Sequence, residues 1–403
     1  MARIIINGGK KLSGIWCPSG NKNEALPLIA ASLLFKGGLK LKDPPDISDV
    51  RIMFEIVKTL EEGGELPPDL CSKVRGSLLF LGPLLAIGGK TKIPRTGGDK
   101  IGLRKIDAHL EVFRAFNCKI NNNEVTLDRN YYNNPRPITI WLSEPSVTAT
   151  ENALLLTALR EGTTIIKNAA SEPHVANLGK VLIGGGVKIS GLDTNFLTVR
   201  GIKRLRPVTH TIGEDFMELG SILVLSAIFG GKIKIKSNSV DDYPKIFEIF
   251  EKFGKKIVYE NGYLRTMDIK ISQRPIIHEI SNGPWPSFPS DLISPMIILA
   301  TQSKGQFLFH EKMFESRLYF TDQLKNLGAQ LVLCDPHRVL VTGPTKLHGA
   351  HLVSPDIRAG MALVIAALAA KGKSIIDNAE QLDRGYEKLV EKLRGIGADI
   401  REG

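Results

Sequence analysis

Cysteine is scarce in this chain of 403 residues, which contains only four. They stand far apart, at Cys17, Cys71, Cys118 and Cys334, and none belongs to a CxxC pair. Closely spaced cysteines are typical of zinc sites, and many cysteines in a short secreted chain are typical of disulfide frameworks. The spacing therefore predicts neither a metal site nor a disulfide framework, and it favours a reducing cytoplasm.

Long apolar runs and aromatic clusters are also missing. The longest apolar run, ALVIAALAA over 362–370, is much shorter than the roughly 20 residues that a membrane-spanning helix needs. The first residues, MARIIINGGK, lack the apolar stretch of a signal peptide. Aromatic residues make up 6% of the chain and do not cluster with basic ones as in a nucleic-acid stacking surface. We therefore expect a cytoplasmic protein that binds neither membrane nor nucleic acid.

Positive charge, in contrast, is in excess. The formal net charge is +11, with 43% hydrophobic and 24% charged residues, the ordinary composition of a globular protein. The lysines are scattered, as in GKIKIKS over 231–237, where Lys alternates with Ile along a half-exposed strand. A surplus of this size favours anionic partners. By itself the charge leaves phosphorylated metabolites, nucleic acid and acidic lipid open.

A unit of two helices and several strands recurs six times, mostly at intervals of roughly 70 residues. Each first helix is apolar and ends near glycine, and each is followed by an alternating strand. These strands read LKLKD, TKIPR, TTIIKN, KIKIKS, QFLFHE and KSIIDN. The first interval is shorter, and the repeat around GGELPPDL (63–70) is predicted to have lost a strand pair. The pattern predicts an α/β protein of six repeats, either one array or two groups of three.

Cations fall near predicted helix starts, where the helix dipole favours negative charge instead. Those near first helices are Lys22, Arg75 and Arg358, and those near second helices are Arg104, Arg317 and Arg384. A bound polyanion would explain the set, because helix-start N–H groups and basic side chains both attract phosphate or carboxylate. The alternative is local pairing, of Arg358 with Asp356 or of Arg384 with Asp383. For the set as a whole, an anion site assembled from several repeats is favoured.

Seven segments together carry a resemblance to a known family. They are PSGNKNEALPLIAASLL (18–34), GGDKIGLRKIDAH (97–109), EGTTIIKNAASEP (161–173), PSFPSDL (286–292), FESRL (314–318), PDIRAGMALV (355–364) and LDRGYEKLVEKLRGIGADI (382–400). In this order, over nearly the whole chain, they resemble the enolpyruvyl transferase family.

The resemblance implies an inside-out α/β barrel with two domains, each of three repeated βαβαββ-type units. In this chain the first unit is shortened, as the spacing of the repeats indicates. One domain would be 22–213, carrying the catalytic loop 95–109, and the other 1–21 with 214–403. The active site would lie in the cleft between them.

The resemblance also implies the reaction. The enolpyruvyl group of phosphoenolpyruvate would move to the 3-hydroxyl of UDP-N-acetylglucosamine, releasing phosphate through a tetrahedral intermediate, without metal or organic cofactor. This is the first committed step of peptidoglycan synthesis. The chemistry needs a proton donor for the vinyl carbon, an acceptor for the sugar hydroxyl, and cations for phosphate and carboxylate.

The family's site positions carry over onto matching residues of this chain. The catalytic set is Asp99, Asp291 and Lys22. The phosphoenolpyruvate set is Lys22, Asn23, Arg104, Arg358 and Arg384, with Arg317 a weaker candidate. The UDP-N-acetylglucosamine set is Arg75, Arg104, Lys105, Ile106, Asp107, Ala108, Asp291 and Met313. Without the resemblance, SFPSDLISP would favour Ser290 or Asp291 as an N-cap or first-turn acid of the following helix.

The chain departs from the family pattern in three places. Asp99 stands where most members have a loop cysteine, SEPSVTATEN (143–152) lacks a basic residue often found there, and the first repeat is short. A carboxylic acid can replace a thiol as proton donor while it is protonated. We expect Asp99 to be a competent acid mainly in the closed complex, with Gly97, Gly98 and Gly102 letting the loop move.

Three other interpretations stay open on the sequence. The first is the sister reaction on shikimate 3-phosphate, the second a non-catalytic paralogue that binds a UDP-sugar and regulates cell-wall synthesis, and the third nucleic-acid binding from charge alone. GGDKIGLRKIDAH and FPSDL favour the UDP-sugar acceptor over shikimate 3-phosphate. The presence of Lys22, Arg104 and Arg384 favours an enzyme over the regulatory paralogue.

Overall fold

A computed structural model of the chain describes residues 2–99, 101–238, 243–271 and 276–403. The chain forms two compact units. Unit I comprises residues 20–98 and 104–213, and unit II comprises residues 1–19, 99–103 and 214–403. The chain thus passes from one unit to the other near residues 19 and 213 and again at both ends of the short segment 99–103.

The strands, numbered along the chain, are β1 (Arg3–Gly8), β2 (Gly14–Trp16), β3 (Leu39–Lys42), β4 (Lys90–Lys92), β5 (Lys119–Asn121), β6 (Glu124–Thr126), β7 (Ile138–Trp141), β8 (Thr163–Lys167), β9 (Lys188–Ser190), β10 (Phe196–Arg200), β11 (Val208–Thr211), β12 (Ile233–Lys236), β13 (Lys255–Glu260), β14 (Tyr263–Asp268), β15 (His278–Ser281), β16 (Gly305–His310), β17 (Gln330–Asp335), β18 (Arg338–Gly343), β19 (His351–Val353), β20 (Gly372–Asp377) and β21 (Ile400–Glu402).

The α-helices are α1 (Lys22–Ala31), α2 (Ser48–Glu61), α3 (Pro68–Cys71), α4 (Leu81–Gly88), α5 (Asp107–Ala115), α6 (Arg129–Asn133), α7 (Val147–Thr157), α8 (Pro173–Gly185), α9 (Phe216–Ile228), α10 (Pro244–Glu251), α11 (Ile293–Gln302), α12 (Thr321–Asn326), α13 (Ile357–Ala369) and α14 (Leu389–Gly395). Short 3₁₀ helices cover Ser32–Leu34, Arg75–Phe80, Ser290–Leu292 and Ala379–Arg384.

The strands predicted after each first helix are all present, as β3, β4, β8, β12, β16 and β20. In β12 the alternation has the expected cause, because Ile233 and Ile235 are buried while Lys234 and Lys236 are exposed. A strand with one face on the core and one in water favours this pattern.

One sheet topology recurs in both units. Unit II has three four-stranded sheets, in the orders β2-β12-β14-β13, β15-β16-β18-β17 and β19-β20-β1-β21. In each, the first pair is parallel and the next two pairs are antiparallel. Unit I repeats this arrangement in β7-β8-β10-β9. The repeats read from the sequence therefore correspond to one folding unit.

The other two sheets of unit I are incomplete versions of this pattern. The sheet β4-β6-β5 has the antiparallel strands without the parallel edge strand, and β11-β3 is a parallel pair alone. In the first repeat the chain runs from α2 into the short helix α3, with no strand among the described residues between them. The predicted loss of a strand pair is confirmed.

The helices that open the repeats lie inside their own unit. In unit II, α9, α11 and α13 pack on one another, and in unit I, α1, α4 and α7 pack together with the 3₁₀ helix Arg75–Phe80. Almost every residue of α9 and α13 is buried. A helix that is apolar on all sides is stable only when it is surrounded. Helices in the interior with sheets outside them give the inside-out arrangement that the resemblance implies.

Side-chain caps begin several of these central helices. Asn21 caps α1, Asp215 caps α9 and Asp356 caps α13, each accepting two backbone N–H groups of the first turn. Such a cap contributes about 1 kcal/mol. The first-turn residues that follow, including Lys22 and Arg358, are thereby held in a defined orientation.

Two buried glutamates hold the chain where it leaves each unit. In unit I, Glu24 of α1 accepts from His210 and from the backbone N–H of Gly213. In unit II, Glu218 of α9 accepts from the backbone N–H of Ser19. Both glutamates are the third residue of their helix, so the two units use the same device at equivalent positions.

None of the helices described is both long and apolar enough to cross a membrane.

Candidate active site

Lys22 is the first residue of α1 and is almost completely buried in unit I. Its Nζ lies 2.6 Å from Oδ2 of Asp49 in α2, and their side chains are 11% and 3% exposed. The cation at the helix start is therefore matched by a nearby acid, as the local-pairing alternative expects for this residue. Asn23, the next residue, donates its backbone N–H to the Asn21 cap at 2.9 Å.

Arg75 and Arg104 of unit I both lie close to Gly98. A Cβ at Gly98 would lie 3.1 Å from Cβ of Arg75 and 3.3 Å from Nη1 of Arg104. Arg75 donates from Nη2 to the carbonyl of Lys105 at 3.0 Å. Burial and the positive charge of Arg104 lower the pKa of Arg75 to about 10, against the opposite effect of Glu144. Two neighbouring cationic side chains make this part of unit I attractive to an anion.

The rest of the predicted segment from Arg104 to Ala108 begins α5. Lys105 and Asp107 are exposed, whereas Ile106 is half-buried and Ala108 is buried. Asp107 is the first residue of α5, where the helix dipole favours an acid. Lys105 and Asp107 thus have side chains accessible to a ligand, whereas the side chain of Ala108 is enclosed by the protein.

His109, which the sequence analysis did not single out, anchors this segment. It is buried, with Nε2 at 3.0 Å from Oγ1 of Thr148 and Nδ1 at 3.0 Å from Nδ2 of Asn152. Burial, together with the positive charge of Arg75, lowers its pKa to about 3. The imidazole is therefore neutral and links the start of α5 to α7. The sequence carried no signal for this role, because a single histidine inside a motif does not reveal its partners.

Asp99 belongs to the short segment 99–103 that clusters with unit II. Its Oδ1 accepts from Nη1 of Arg384 at 2.8 Å, and both side chains are 17% exposed. The same segment is tied down by Glu315, which accepts from the N–H of Leu103 at 2.9 Å, and by the N–H of Ser316, which donates to the carbonyl of Ile101. Lys100, within the predicted catalytic loop, lies outside the described residues.

Asp291 is held by two arginines of unit II. Its Oδ1 accepts from Nη2 of Arg317 at 3.0 Å, and its Oδ2 accepts from Nε of Arg358 at 2.9 Å. The side chain of Asp291 is 28% exposed, so the carboxylate is fixed and still accessible. Neither Ser290 nor Asp291 makes a side-chain cap at the following helix. The N-cap alternative is therefore wrong, but Asp291 does stand as the acid in the first turn of the 3₁₀ helix Ser290–Leu292.

Asp356 is a buried acid that sequence reasoning considered only as a partner for Arg358. It accepts from the backbone N–H groups of Arg358 and Ala359, both at 2.9 Å. The pKa of Asp356 is raised, mainly by burial and to a smaller extent by the negative charge of Asp99, although the positive charge of Arg317 acts in the opposite direction. The guanidinium of Arg358 binds Asp291 instead of Asp356, so that proposed local pairing is wrong in its side-chain detail. The sequence signal available was the Asp directly before an apolar helix, which also marks any ordinary cap.

The buried guanidinium of Arg358 is also close to Tyr386. Nη1 of Arg358 lies 3.3 Å from the Tyr386 hydroxyl. Burial by itself would lower the pKa of Arg358, but Tyr386, Asp291 and Asp215 together raise it well above its usual value. Arg358 is therefore a permanent cation next to the exposed edge of Asp291.

Three further predicted site residues, Arg384, Arg317 and Met313, lie in unit II, and the first two do not stand at the start of a second helix. Arg384 ends the 3₁₀ helix Ala379–Arg384 and does not begin a second helix. Arg317 lies four positions before Thr321, the start of α12, and is buried. Met313 is 42% exposed, and its N–H donates to Oε1 of Glu311 at 2.9 Å. Arg384 and Arg317 thus owe their places to side-chain ion pairs, because neither stands at a helix start.

The two units therefore hold distinct sets of residues. Unit I brings Arg75 and Arg104 together and holds Lys22 against Asp49. Unit II brings Asp291 together with Arg317 and Arg358, and joins Asp99 to Arg384. Within the described part of the chain, no group of three or more His, Cys, Asp or Glu side chains is arranged to hold a metal ion.

Comparison with known proteins places these residues in context. The model of the family described as EPSP synthase (3-phosphoshikimate 1-carboxyvinyltransferase) matches residues 6–393. A relative from Treponema denticola, named UDP-N-acetylglucosamine 1-carboxyvinyltransferase, is 44% identical, and the alignment covers 99% of each chain. A relative of the same name from Bradyrhizobium diazoefficiens is 40% identical, over 99% of this chain and 97% of its own.

Solved structures agree on the fold. The enolpyruvyl transferase NikO from Streptomyces tendae matches with a TM-score of 0.86 at 24% identity, over 100% of this chain and 99% of its own. The EPSP synthase of Acinetobacter baumannii matches with a TM-score of 0.74 at 17% identity over the whole of both chains. At these identities the likeness concerns the fold alone. It confirms the predicted inside-out α/β class.

Proposed function

This chain belongs to the EPSP synthase (3-phosphoshikimate 1-carboxyvinyltransferase) family, and from that premise we propose that it transfers the enolpyruvyl group of phosphoenolpyruvate to the 3-hydroxyl of UDP-N-acetylglucosamine. One observation carries the choice of acceptor: relatives named for this activity are 44% and 40% identical along essentially the full chain. The reaction would be the first committed step of peptidoglycan synthesis.

The cations have a clear task in such a reaction. Phosphoenolpyruvate carries a phosphate and a carboxylate, and its transition state develops further charge that fixed cations stabilise. We assign Lys22, Asn23 and Arg104 of unit I, and Arg358 and Arg384 of unit II, to phosphoenolpyruvate. The existing ion pairs Lys22–Asp49 and Arg384–Asp99 keep these cations in place before the substrate binds.

The acceptor is assigned to a second group of residues. Arg75, Arg104 and the exposed Lys105 suit the diphosphate of the UDP-sugar, while Ile106, Asp107, Ala108 and Met313 complete the set. Asp291 contacts the 3-hydroxyl in this proposal. Its carboxylate accepts hydrogen bonds from Arg317 at 3.0 Å and from Arg358 at 2.9 Å. It is thus already oriented to accept the hydroxyl proton.

The acid–base steps then balance as follows. Asp99, protonated in the closed complex, donates a proton to the methylene carbon of phosphoenolpyruvate, and the 3-hydroxyl oxygen bonds to the neighbouring carbon as Asp291 takes its proton. The Asp99 carboxylate then takes back a proton from the methyl group of the tetrahedral intermediate, and phosphate leaves with the proton held by Asp291. This restores the double bond in the enolpyruvyl ether and returns both acids to their starting states. No electrons are exchanged with a cofactor. A cytoplasmic location is part of the proposal, since all four cysteines are free thiols.

The test is phosphate release by the purified protein with defined acceptors. With phosphoenolpyruvate and UDP-N-acetylglucosamine, in buffer with a chelator, we expect stoichiometric phosphate and a product whose mass exceeds that of the UDP-sugar by one enolpyruvyl group. Turnover with shikimate 3-phosphate alone would move the assignment to the sister reaction. Tight UDP-sugar binding with no turnover of either acceptor would favour the regulatory paralogue.

A further inference from the structure

Glu311 is a fully buried acid directly after β16, and the reaction steps above give it no role. Its Oε1 accepts from Nδ2 of Asn282 at 2.6 Å and from the backbone N–H groups of Met313 and Phe314 at 2.9 and 3.2 Å. Its Oε2 accepts from Oγ of Ser290 at 2.7 Å. Every one of these partners is a donor, which suits a carboxylate that only accepts.

Two of the contacts of Glu311 lead directly to Asp291. Ser290 precedes Asp291 in the same short 3₁₀ helix, so a bond to its side chain fixes the backbone from which Asp291 projects. Arg317, which donates to Asp291 from Nη2, has its Nε 3.9 Å from Oε2 of Glu311. The guanidinium is therefore shared between two carboxylates, one buried and one accessible.

Arg317 depends on this sharing. Its side chain is only 2% exposed, and its Nε and Nη1 have no hydrogen-bond partner in the part of the chain that the structure describes. A buried guanidinium with so few hydrogen bonds is stabilised mainly by the charges of neighbouring carboxylates. Without the charge of Glu311, the position of Arg317 would depend on its hydrogen bond to Asp291 and on the nearby charge of Asp356.

We propose that Glu311 is a positioning residue that sets the Asp291 carboxylate for the acceptor hydroxyl, acting through Ser290 on one side and Arg317 on the other. This inference rests on the proposed function, in which Asp291 contacts that hydroxyl. Glu311 itself touches no substrate. Its effect should therefore appear in the rate of the chemical step and should vanish when Asp291 can no longer accept a proton.

The experiment is a double-mutant cycle of Glu311→Gln and Asp291→Asn, followed by single-turnover phosphate release. Glutamine keeps the shape of Glu311 but replaces one acceptor oxygen by an N–H₂ group. That N–H₂ group would face either Ser290 and Arg317 or the N–H donors of Asn282, Met313 and Phe314. We expect Glu311→Gln to lower the rate by roughly 10- to 100-fold, as for a misplaced catalytic group. The KM for phosphoenolpyruvate should stay near that of the wild type, because Glu311 is not among the residues assigned to phosphoenolpyruvate.

The decisive comparison is between the two backgrounds. If Glu311 acts through Asp291, then Glu311→Gln lowers the rate no further in the Asp291→Asn protein, since coupled residues are not additive. An equal loss in both backgrounds, or a near wild-type rate for Glu311→Gln alone, overturns the proposal. Glu260→Gln, which removes an exposed partner of Arg265 in the same unit, is the matched control and should leave the rate unchanged.

Two further arms keep the result interpretable. Should thermal melting show that Glu311→Gln does not fold, Ser290→Ala removes only the hydroxyl bond to Oε2, and its cycle with Asp291→Asn decides by the same criterion. Should the wild type use shikimate 3-phosphate in place of the UDP-sugar, the proposed function fails. The same cycle, run with that acceptor, then still supports or overturns the positioning role of Glu311.

Discussion

Replacing Asp99 with asparagine should separate the chemical step from the binding of phosphoenolpyruvate. Asparagine fills the same space but has no proton to donate to the vinyl carbon. Loss of a general acid lowers kcat by roughly 100-fold or more. UDP-N-acetylglucosamine binding should be preserved, because Asp99 is not among the residues assigned to the UDP-sugar.

The contact with Arg384 sets the expected change in binding. In the free protein the Asp99 carboxylate already holds Arg384 at 2.8 Å, with both side chains 17% exposed. A partly exposed pair of this kind is worth about 1 kcal/mol, and 1.4 kcal/mol corresponds to about tenfold in affinity. Removing the negative charge makes Arg384 more available, so the dissociation constant of phosphoenolpyruvate should fall by up to about fivefold. A large loss in kcat with equal or tighter binding is the expected signature.

The assay pairs steady-state phosphate release with calorimetric titration of phosphoenolpyruvate in the presence of the UDP-sugar. Asp335→Asn is the matched control, because Asp335 also pairs with an arginine, Arg338, at 2.7 Å in the same unit. It should change neither quantity. A kcat of Asp99→Asn within about threefold of the wild type would refute the reasoning, since the proton would then come from another group.

Four other outcomes are expected. Fosfomycin is an epoxide that inactivates family members by alkylating the loop cysteine. Because a carboxylate is a far weaker nucleophile than a thiolate, we expect no time-dependent inactivation of this protein and no mass adduct. An active Asp99→Cys protein should become labelled. Arg384→Ala should raise the KM for phosphoenolpyruvate much more than that for the UDP-sugar, and equal effects on both would contradict its assignment. Asp49→Ala should lower the free energy of unfolding in urea by about 3 kcal/mol, because Lys22 stays buried without the Asp49 carboxylate. The double variant Asp49→Ala, Lys22→Met should regain most of this loss. An Asp49→Ala protein as stable as the wild type would argue against the importance of the pair. The pKa of His109 is about 3 in the folded protein and about 6.5 in the unfolded protein. As the pH falls between these values only the unfolded state gains a proton, so the free energy of unfolding falls by about 1.4 kcal/mol per pH unit. The unfolding free energy of His109→Gln should therefore fall less steeply from pH 6 to pH 4, and parallel pH curves for the variant and the wild type would count against a buried neutral imidazole.

The repeated fold was predictable from the sequence because its signals are local. Apolar helices that end at glycine and alternating strands such as Ile233–Lys236 depend on the periodicity of neighbouring residues, which a single sequence displays directly. The shortened first repeat was visible for the same reason, as a reduced spacing between landmarks. The family resemblance then indicated how the six repeats divide between two domains.

The ion pairs of the candidate site were beyond such reasoning. Arg384 and Asp99 are separated by 285 positions in the chain, and Arg358 reaches Asp291 across 67. Local spacing suggested Asp356 as the partner of Arg358 and Asp383 as the partner of Arg384. The tertiary structure gives the Arg358 guanidinium to Asp291 and adds Asp99 as a partner of Arg384, because the packing of helices and sheets within unit II brings these distant carboxylates to the guanidinium groups.

What the sequence by itself determined about this protein is thus the order and type of its elements, the excess of cations near several helix starts, and the family to which it belongs. Only the tertiary structure decided which carboxylate each cation faces. It also decided that Asp291 accepts hydrogen bonds from two arginines and makes no side-chain helix cap, and that Glu311 and His109 are buried and hydrogen-bonded to neighbouring elements. The physical reason is that periodicity and capping act over one or two turns of chain, whereas burial and charge pairing depend on residues that meet only after the chain has folded.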